Sequence, residues 1–287
     1  MNAVLICPSA RPAVANLTTF GPLAAIPLLG ESLVEYWLTH LALNGITEVK
    51  ILSDDRPEQI AAIVRNGARW GLKAEVITES RELTAGQAEI KYAGALKNGS
   101  LKEILTLDRF PGSMTPIFTS YSDLFAAIFE WMPKAQTPDR VGMREIRPGI
   151  WAGLHTRISP EAHLHAPCWI GGNVFIGANA IVGPMTVIED RSFIEPEAQV
   201  ISSVIGPDTF VGRIAAIHDS IAWGSLLINW KSGASAQAPD PLLLSALRPP
   251  LLARRSEGMF ARVNDLYARH KDDFQLFWKH LLMNKEG

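Results

Sequence analysis

The chain lacks the features that mark several large classes of protein. Its 287 residues include only two cysteines, Cys7 and Cys168, which excludes a disulfide framework. Lysine and arginine (27) do not outnumber aspartate and glutamate (29), so a large nucleic-acid footprint is not expected. No apolar run approaches the roughly 18 residues that a membrane-spanning helix needs. With 47% hydrophobic residues, the chain has enough apolar side chains to form buried cores.

The first 147 residues alternate short apolar runs with segments of helical periodicity. The run 3–7 is typical of a strand covered on both faces. It is too short for a secretory signal and no basic residue precedes it, so we expect a cytoplasmic protein. Further strands are predicted at 49–52, 74–77 and 104–107, and helices at 31–44, 57–66 and 123–132. This alternation predicts an α/β domain with a parallel sheet over residues 1–147.

A repeat of six residues begins at Ile158. Branched aliphatic residues or Leu recur at 158, 164, 170, 176, 182, 188, 194 and 200, and the register resumes after a one-residue slip at 205, 211, 217 and 223, where the last is Trp. A small or medium residue stands four positions after each of the first seven. Neither a helix nor a strand has this period. The pattern predicts a triangular solenoid of about four coils over 148–231, with three short strands in each coil.

Both parts resemble a known family. The six-residue repeat resembles the hexapeptide repeats of left-handed parallel β-helices. Residues 27–37, PLLGESLVEYW, resemble the P-V-x-G-K-P-L-I-E-Y-W stretch of the sugar-nucleotide pyrophosphorylases, which join a sugar 1-phosphate to a nucleoside triphosphate. Residues 42–49, ALNGITEV, are similar to that family's L-x-x-x-G-I-x-E-I. The resemblance implies a Rossmann-like, nucleotidyltransferase-type domain followed by a left-handed β-helix and, over 232–287, a linker and C-terminal helices.

The catalytic loop of the family is not preserved. In a gapless alignment the family's glycine-rich loop falls on 8–13, which contains no glycine. The family's arginine falls on Ala13 and its lysine on Leu23, although Arg11 stands nearby. Both positive charges stabilise the nucleotide phosphates and the charge that develops at phosphorus. The α/β domain is also shorter than is usual in the family. These departures predict a degenerate, inactive catalytic site.

Some pieces of a nucleotide site are retained in part. Residues 83–88, LTAGQA, resemble the family's loop beside the nucleotide base, and Asp108 resembles its Mg²⁺-binding aspartate at a strand end. An ordinary polar loop and a strand-end turn residue are the alternatives for these two features. Mg²⁺ would be required if a nucleotide binds. The candidate residues are Arg11 and Asp108 for catalysis, Asp108 for metal binding, and Ser9, Ala10, Thr84, Ala85, Gly86 and Gln87 for nucleotide binding.

Hexapeptide repeats also build acyltransferases, which need a histidine as general base. The candidates are His155, His163, His165 and His218. His165 and His218 take a corner position that is often Gly elsewhere in the repeat, where a solvated side chain is the alternative interpretation. After the solenoid, 232–241 is predicted to be a linker and 256–282 to form amphipathic helices. These helices would close the end of the solenoid or present a surface to a partner.

The leading hypothesis is a nucleotidyltransferase-like protein without catalytic activity. It would bind an NTP, an NDP-sugar or a partner enzyme in sugar-nucleotide or polysaccharide metabolism, and would form a homo-oligomer. The first alternative is an active nucleotidyltransferase with a rewired loop that uses Arg11 and Asp108. The second is a hexapeptide-repeat acyltransferase, and the third is a structural oligomerisation module.

Overall fold

The structure, a computed structural model, describes residues 2–92, 101–137 and 140–247 and forms two compact units. The first unit consists of 2–134 together with 230–233. The second is built on 135–229 and 234–247. Among these described residues, no helix is long and apolar enough to cross a membrane.

The first unit is built on a parallel four-stranded sheet in the order β5–β4–β1–β6. Strand β1 lies inside this sheet and all five of its residues are buried, as expected for a strand covered on both faces. The predicted parallel α/β arrangement is therefore confirmed. The strands of the unit are β1 (Asn2–Ile6), β2 (Pro27–Leu28), β3 (Glu31–Ser32), β4 (Glu48–Ser53), β5 (Lys73–Thr78) and β6 (Leu101–Thr106).

Helix ends in this unit follow from local capping. Ser32 begins the first helix in a capping box with Glu35, and its backbone N–H donates to Glu35 Oε2 over 2.9 Å. Gly45 follows the end of that helix with a φ of +75°, a conformation that favours glycine. Residues 31–32, predicted as helix, instead pair as β3 with β2. The helices are α1 (Leu33–Leu43), α2 (Pro57–Val64), α3 (Ala85–Tyr92) and α4 (Tyr121–Trp131), with 3₁₀ segments at Pro12–Thr19, Leu23–Ala25, Ala68–Trp70 and Met132–Lys134.

The second unit contains the predicted triangular solenoid. Successive strands fall in rotation on three parallel sheets: the first face (β8, β11, β14, β17, β20), the second face (β9, β12, β15, β18) and the third face (β10, β13, β16, β19). Their ranges are β7 (Arg144–Arg147), β8 (Ile150–Ala152), β9 (Arg157–Ile158), β10 (His163–Leu164), β11 (Cys168–Ile170), β12 (Phe175–Ile176), β13 (Ile181–Val182), β14 (Thr186–Ile188), β15 (Phe193–Ile194), β16 (Gln199–Ile201), β17 (Val204–Ile205), β18 (Thr209–Val211), β19 (Ala216–His218) and β20 (Ser220–Trp223).

The strand register agrees with the sequence repeat. Phe175 pairs with Phe193 eighteen positions on, whereas Val187 pairs with Val204 seventeen positions on, which locates the one-residue slip. The aliphatic residues of the repeat form one buried core inside the coils. The predicted coil architecture is confirmed, and its left-handed sense stays a prediction.

Small residues inside the coils have a hydrogen-bonding role as well as a steric one. Ser192 is fully buried and its hydroxyl donates to the carbonyl of Gly206 in the next coil over 2.9 Å. Thr186 donates in the same way to Val200 O over 3.2 Å. Because both buried hydroxyls donate to a carbonyl, these polar side chains lie in the narrow interior without an unsatisfied hydrogen-bonding group.

The end of the solenoid differs from the prediction. Residues 232–241 were expected to be a linker, but β21 (Leu226–Asn229) and β22 (Ser235–Gln237) form antiparallel pairs that extend the first face from β20. Strand β23 (Leu244–Ala246) pairs antiparallel with β18 and extends the second face. A sheet edge offers unpaired backbone groups to any adjacent segment, which explains why a Ser- and Ala-rich stretch is recruited as strand. The predicted helices in 256–282 lie outside the described residues.

Candidate functional site

The carboxyl edge of the parallel sheet is the first place to look for a site. The strand order reverses direction between β1 and β6, and open parallel sheets bind ligands where this happens. Ser9 and Arg11 follow β1, Asp54 follows β4, and Asp108 follows β6. Three of the sequence candidates, Ser9, Arg11 and Asp108, therefore stand at this edge, and Asp108 is close enough to contribute to the raised pKa of Arg11.

Arg11 is bound to a carboxylate of the same unit. Its guanidinium donates two hydrogen bonds of 2.6 Å each to the two oxygens of Glu82. The hydrogen bond to Glu82 raises the pKa of Arg11. Partial burial opposes ionisation of Glu82, but hydrogen bonds from Arg11 and Ser9 outweigh it and hold the pKa of Glu82 below its ordinary value. Arg11, the cation within the aligned loop 8–13, is thus already engaged in a bidentate ion pair.

The loop after β1 is held in the same manner through Ser9. Its backbone N–H donates to Glu82 Oε2 over 2.9 Å, and its hydroxyl donates to Asp54 Oδ2 over 2.5 Å. The other oxygen of Asp54 is buried without a hydrogen-bond partner among the described residues. A phosphate-binding loop presents free backbone N–H groups to its ligand. Here the backbone N–H of Ser9 already donates to Glu82.

The remaining positions of the aligned loop do not resemble a phosphate site. Ala10 and Ala13 are exposed, and Pro12–Thr19 forms 3₁₀ turns. Leu23, at the position of the family's lysine, is fully buried with 0% exposure. A lysine there would place its charge in the core, so the unit has been built around an apolar residue at this point.

Residues 84–87 are the start of a helix, which corrects the predicted loop. The backbone N–H of Thr84 donates to the side-chain oxygen of Gln87 over 3.1 Å, and the N–H of Gln87 donates to the Thr84 hydroxyl over 3.3 Å. This is a capping box, and the spacing T-x-x-Q was the sequence signal for it. Thr84, Ala85, Gly86 and Gln87 are all exposed.

Asp108 is paired with its neighbour. Arg109 Nε donates to Asp108 Oδ1 over 2.9 Å and Arg109 Nη2 to Oδ2 over 3.3 Å, and this hydrogen bonding raises the pKa of Arg109. Within the described ranges, no group of three or more His, Cys, Asp or Glu side chains could hold a metal ion. A Mg²⁺ site at Asp108 stays a prediction, because Mg²⁺ takes only one or two protein carboxylates when nucleotide phosphates supply further ligands.

The four candidate histidines lie on the solenoid and all are exposed. His163 and His165 flank Leu164, which packs against the interior core, at the first strand of the third face. From the register, His165, Gly183, Ile201 and His218 occupy one corner in successive coils. At about 4.8 Å a coil, His165 and His218 are separated by about 14 Å and cannot act on the same atom.

Two carboxylates that hold the loop were not predicted from the sequence. Glu82 lies 71 positions from Arg11, and Asp54 lies 45 positions from Ser9. Neither belongs to a recognisable motif, so no local signal pointed to them. Both reach the edge because parallel strands bring their carboxyl ends together.

The fold and the site define a class of protein: an α/β unit with a parallel sheet, joined to a parallel β-helix. No family model matches the chain. A similar solved structure is a mutant of the GDP-perosamine N-acetyl transferase from Caulobacter crescentus, in complex with CoA and GDP-perosamine. It is 11% identical, with a TM-score of 0.20, and the match covers 62% of this chain and 85% of that chain.

A second solved structure comes from the same organism. This mutant of perosamine N-acetyltransferase, also in complex with CoA and GDP-perosamine, is 13% identical, with a TM-score of 0.18 and 62% and 93% of the two chains covered. Similarities of this size support no argument about the function of the present chain.

Proposed function

We propose that this chain is an acyltransferase of the hexapeptide-repeat class, acting in sugar-nucleotide metabolism with His165 as general base. Acyl transfer to a sugar nucleotide is also the reaction suggested by the names of the two solved structures, but the proposal rests on this chain's own residues. The observation that carries it is the pair of exposed imidazoles, His163 on the first strand of the third face and His165 directly after that strand.

The contacts in the α/β unit argue against nucleotidyl transfer there. A triphosphate would have to displace Glu82 from Arg11, and the lysine position is the buried Leu23. Without a free cation at either of these two positions, the loop does not stabilise the negative charge on the oxygens of the reacting phosphoryl group. The active-nucleotidyltransferase alternative, which uses Arg11 and Asp108, is disfavoured because both side chains are engaged in ion pairs.

Acyl transfer needs less from the protein. The base accepts a proton from an amine or hydroxyl as that atom attacks the thioester carbon, the carbon–sulfur bond breaks, and the thiol leaves with a proton. A histidine suits this step because its unperturbed pKa lies near neutral pH. The reaction therefore requires an accessible imidazole beside space for two substrates.

His165 meets this requirement better than His163. The residue that stacks on His165 in the next coil is Gly183, which has no side chain and approaches the His165 backbone closely. His163 is instead followed in the next coil by Ile181. No side chain is therefore stacked on His165 in the next coil, and in this proposal the acceptor approaches its exposed imidazole from the solvent side of the corner.

The proposal is tested by acetyl transfer from acetyl-CoA to amino-sugar nucleotides. We expect His165→Asn to lower kcat/KM by about 10²- to 10⁴-fold, the usual contribution of a general base. His218→Asn, at the same corner about 14 Å away, is the matched control and should retain wild-type activity. Absence of acyl-CoA binding, or equal activity of the two variants, would overturn the assignment.

We also propose a second function, ligand binding without turnover by the α/β unit. The observation that favours it is the sheet edge itself, where Arg11 stands at a strand-order reversal and is held by Glu82 and by the carbonyl of Ser9. A phosphate group of an NTP or NDP-sugar would replace the Glu82 carboxylate as the partner of Arg11. A thermal-shift screen of both ligand classes, with and without Mg²⁺, tests this function. Glu82→Gln should enlarge any ligand-induced rise in melting temperature because it frees Arg11. If no ligand changes the melting temperature of wild type or variant, this second function is wrong.

A further inference from the structure

Strand β10 is an edge strand of the third face and presents two histidines to solvent. His163 lies on the strand, His165 directly follows it, and both side chains are exposed. Leu164, between them, packs against the interior core. Because side chains alternate along an extended chain, the two imidazoles lie on the same outer side of the third face.

The backbone stays extended through both histidines. The N–H of His163 donates to Ala180 O and the N–H of His165 donates to Val182 O, each over 2.8 Å, so pairing with the next coil continues past the end of β10. Residues two apart on such a chain have their Cα atoms about 6.5 Å apart. This spacing allows both rings to lean towards one ion, whose bonds to imidazole nitrogen are about 2.0–2.1 Å long.

Both imidazoles keep their nitrogen atoms accessible. Within the part of the chain that the structure describes, no hydrogen bond or ion pair involves the side chain of His163 or His165. Among the described strands, none pairs with β10 on its outer edge. Gly183, at the position of His165 in the next coil, has no side chain to stack on that ring. The pair can therefore accept a ligand without breaking an existing contact.

The opposite edge of the same face provides an internal comparison. From the register, Ala216 and His218 on β19 take the positions of His163 and His165. Both are exposed, and Ile217 between them is buried, as Leu164 is directed inwards on β10. The two edges thus share their local backbone pattern, and of these two edges only β10 carries two histidines.

We infer that His163 and His165 together chelate a divalent late transition-metal ion, with Zn²⁺ as the ion to be tested. Imidazole is a preferred ligand of Zn²⁺, Ni²⁺ and Cu²⁺, whereas Mg²⁺ and Ca²⁺ prefer oxygen ligands. Two side chains are fewer than the four of a structural zinc site. Water therefore completes the coordination, and the ion exchanges with solution.

Metal binding at this pair would also act on the proposed acyl transfer. An ion on the His165 nitrogen that accepts the proton occupies the lone pair that a general base needs, so Zn²⁺ would inhibit the reaction. This consequence rests on the proposed function, whereas metal binding is measured without acyl donor or acceptor. A chain that binds Zn²⁺ at the pair but transfers no acyl group would contradict only the proposed function.

Isothermal titration calorimetry with Zn²⁺ tests the inference on the full chain, prepared without a histidine tag. His163→Ala and His165→Ala should each weaken the site by about tenfold or more, because binding of the second ligand on one strand is an intramolecular step. His218→Ala, which removes an exposed histidine from the opposite edge, is the matched control and should leave the affinity unchanged. Ala216→His completes the pair on β19 and should add a second site of similar affinity.

Four results would overturn the inference. The first is the absence of Zn²⁺ binding to wild type, and the second is unchanged affinity in His163→Ala or His165→Ala. The third is an equal loss of affinity in His218→Ala, which would indicate adventitious binding to single exposed histidines. The fourth is no additional site in Ala216→His, which would show that this spacing does not form a chelate. Far-UV circular dichroism on each variant verifies that the β-helix is folded.

Discussion

The close approach of successive coils makes a sharp prediction at Gly177. A Cβ added there would lie 2.5 Å from the backbone N of Pro196 and 2.9 Å from the carbonyl carbon of Glu195. Both atoms are backbone of the next coil, so no side chain can rotate away to make room. Gly172, on the same coil, is the matched control because a Cβ there would find its nearest neighbour, Leu154 O, at 3.3 Å. Neither glycine has a positive φ, so steric contact is the variable that separates them.

The magnitude follows from this difference. Inserting an atom into a packed region costs about 1–3 kcal/mol, and Gly177→Ala should fall at the upper end because the backbone must move. Gly172→Ala should cost less than about 1 kcal/mol, since the unfolded chain also loses entropy. At roughly 4–8 °C per kcal/mol for a domain of this size, Gly177→Ala should lower the melting temperature of the β-helix by about 10 °C or more. Thermal unfolding followed by circular dichroism measures this, and equal melting temperatures for the two variants would refute the stacking argument.

Two further predictions concern ionisable groups. Glu82→Gln should destabilise the α/β unit by about 1 kcal/mol at pH 7, because the ion pair with Arg11 holds the folded pKa of Glu82 below its ordinary 4.5. The difference from wild type should therefore disappear as the pH falls below 4.5, and a constant difference in urea titrations from pH 7 to pH 3 would contradict this account. Burial and the hydrogen bond to Glu79 raise the pKa of Tyr92 to about 12. The stability that this hydrogen bond contributes is therefore complete below pH 10 and is lost as the pH rises towards 12. Ultraviolet difference titration against Tyr92→Phe should show one phenol ionising near pH 12, and ionisation near pH 10 would show that the contact is absent.

Local sequence patterns predicted the architecture well where the structure repeats. Each coil stacks on the one before, so the same position in successive repeats meets the same environment, and the period itself specifies the fold. The slip between Val200 and Ile205 was visible for that reason and appears in the register of Val187 with Val204. Within the predicted linker 232–241, residues 235–237 form a strand because an adjacent sheet edge recruits them, although the composition of the segment is typical of loops.

The sequence by itself determined the α/β alternation, the repeat and the absence of a glycine-rich phosphate loop, since each is encoded in neighbouring residues. Only the tertiary structure decided that Arg11 is held by Glu82, 71 positions away, and that Ser9 is bound to Asp54. It also decided that Phe193, on an outward position, is buried. These features depend on which distant segments meet at a sheet edge or on a coil face. The spacing of residues along the chain gives no information about which distant segments come into contact.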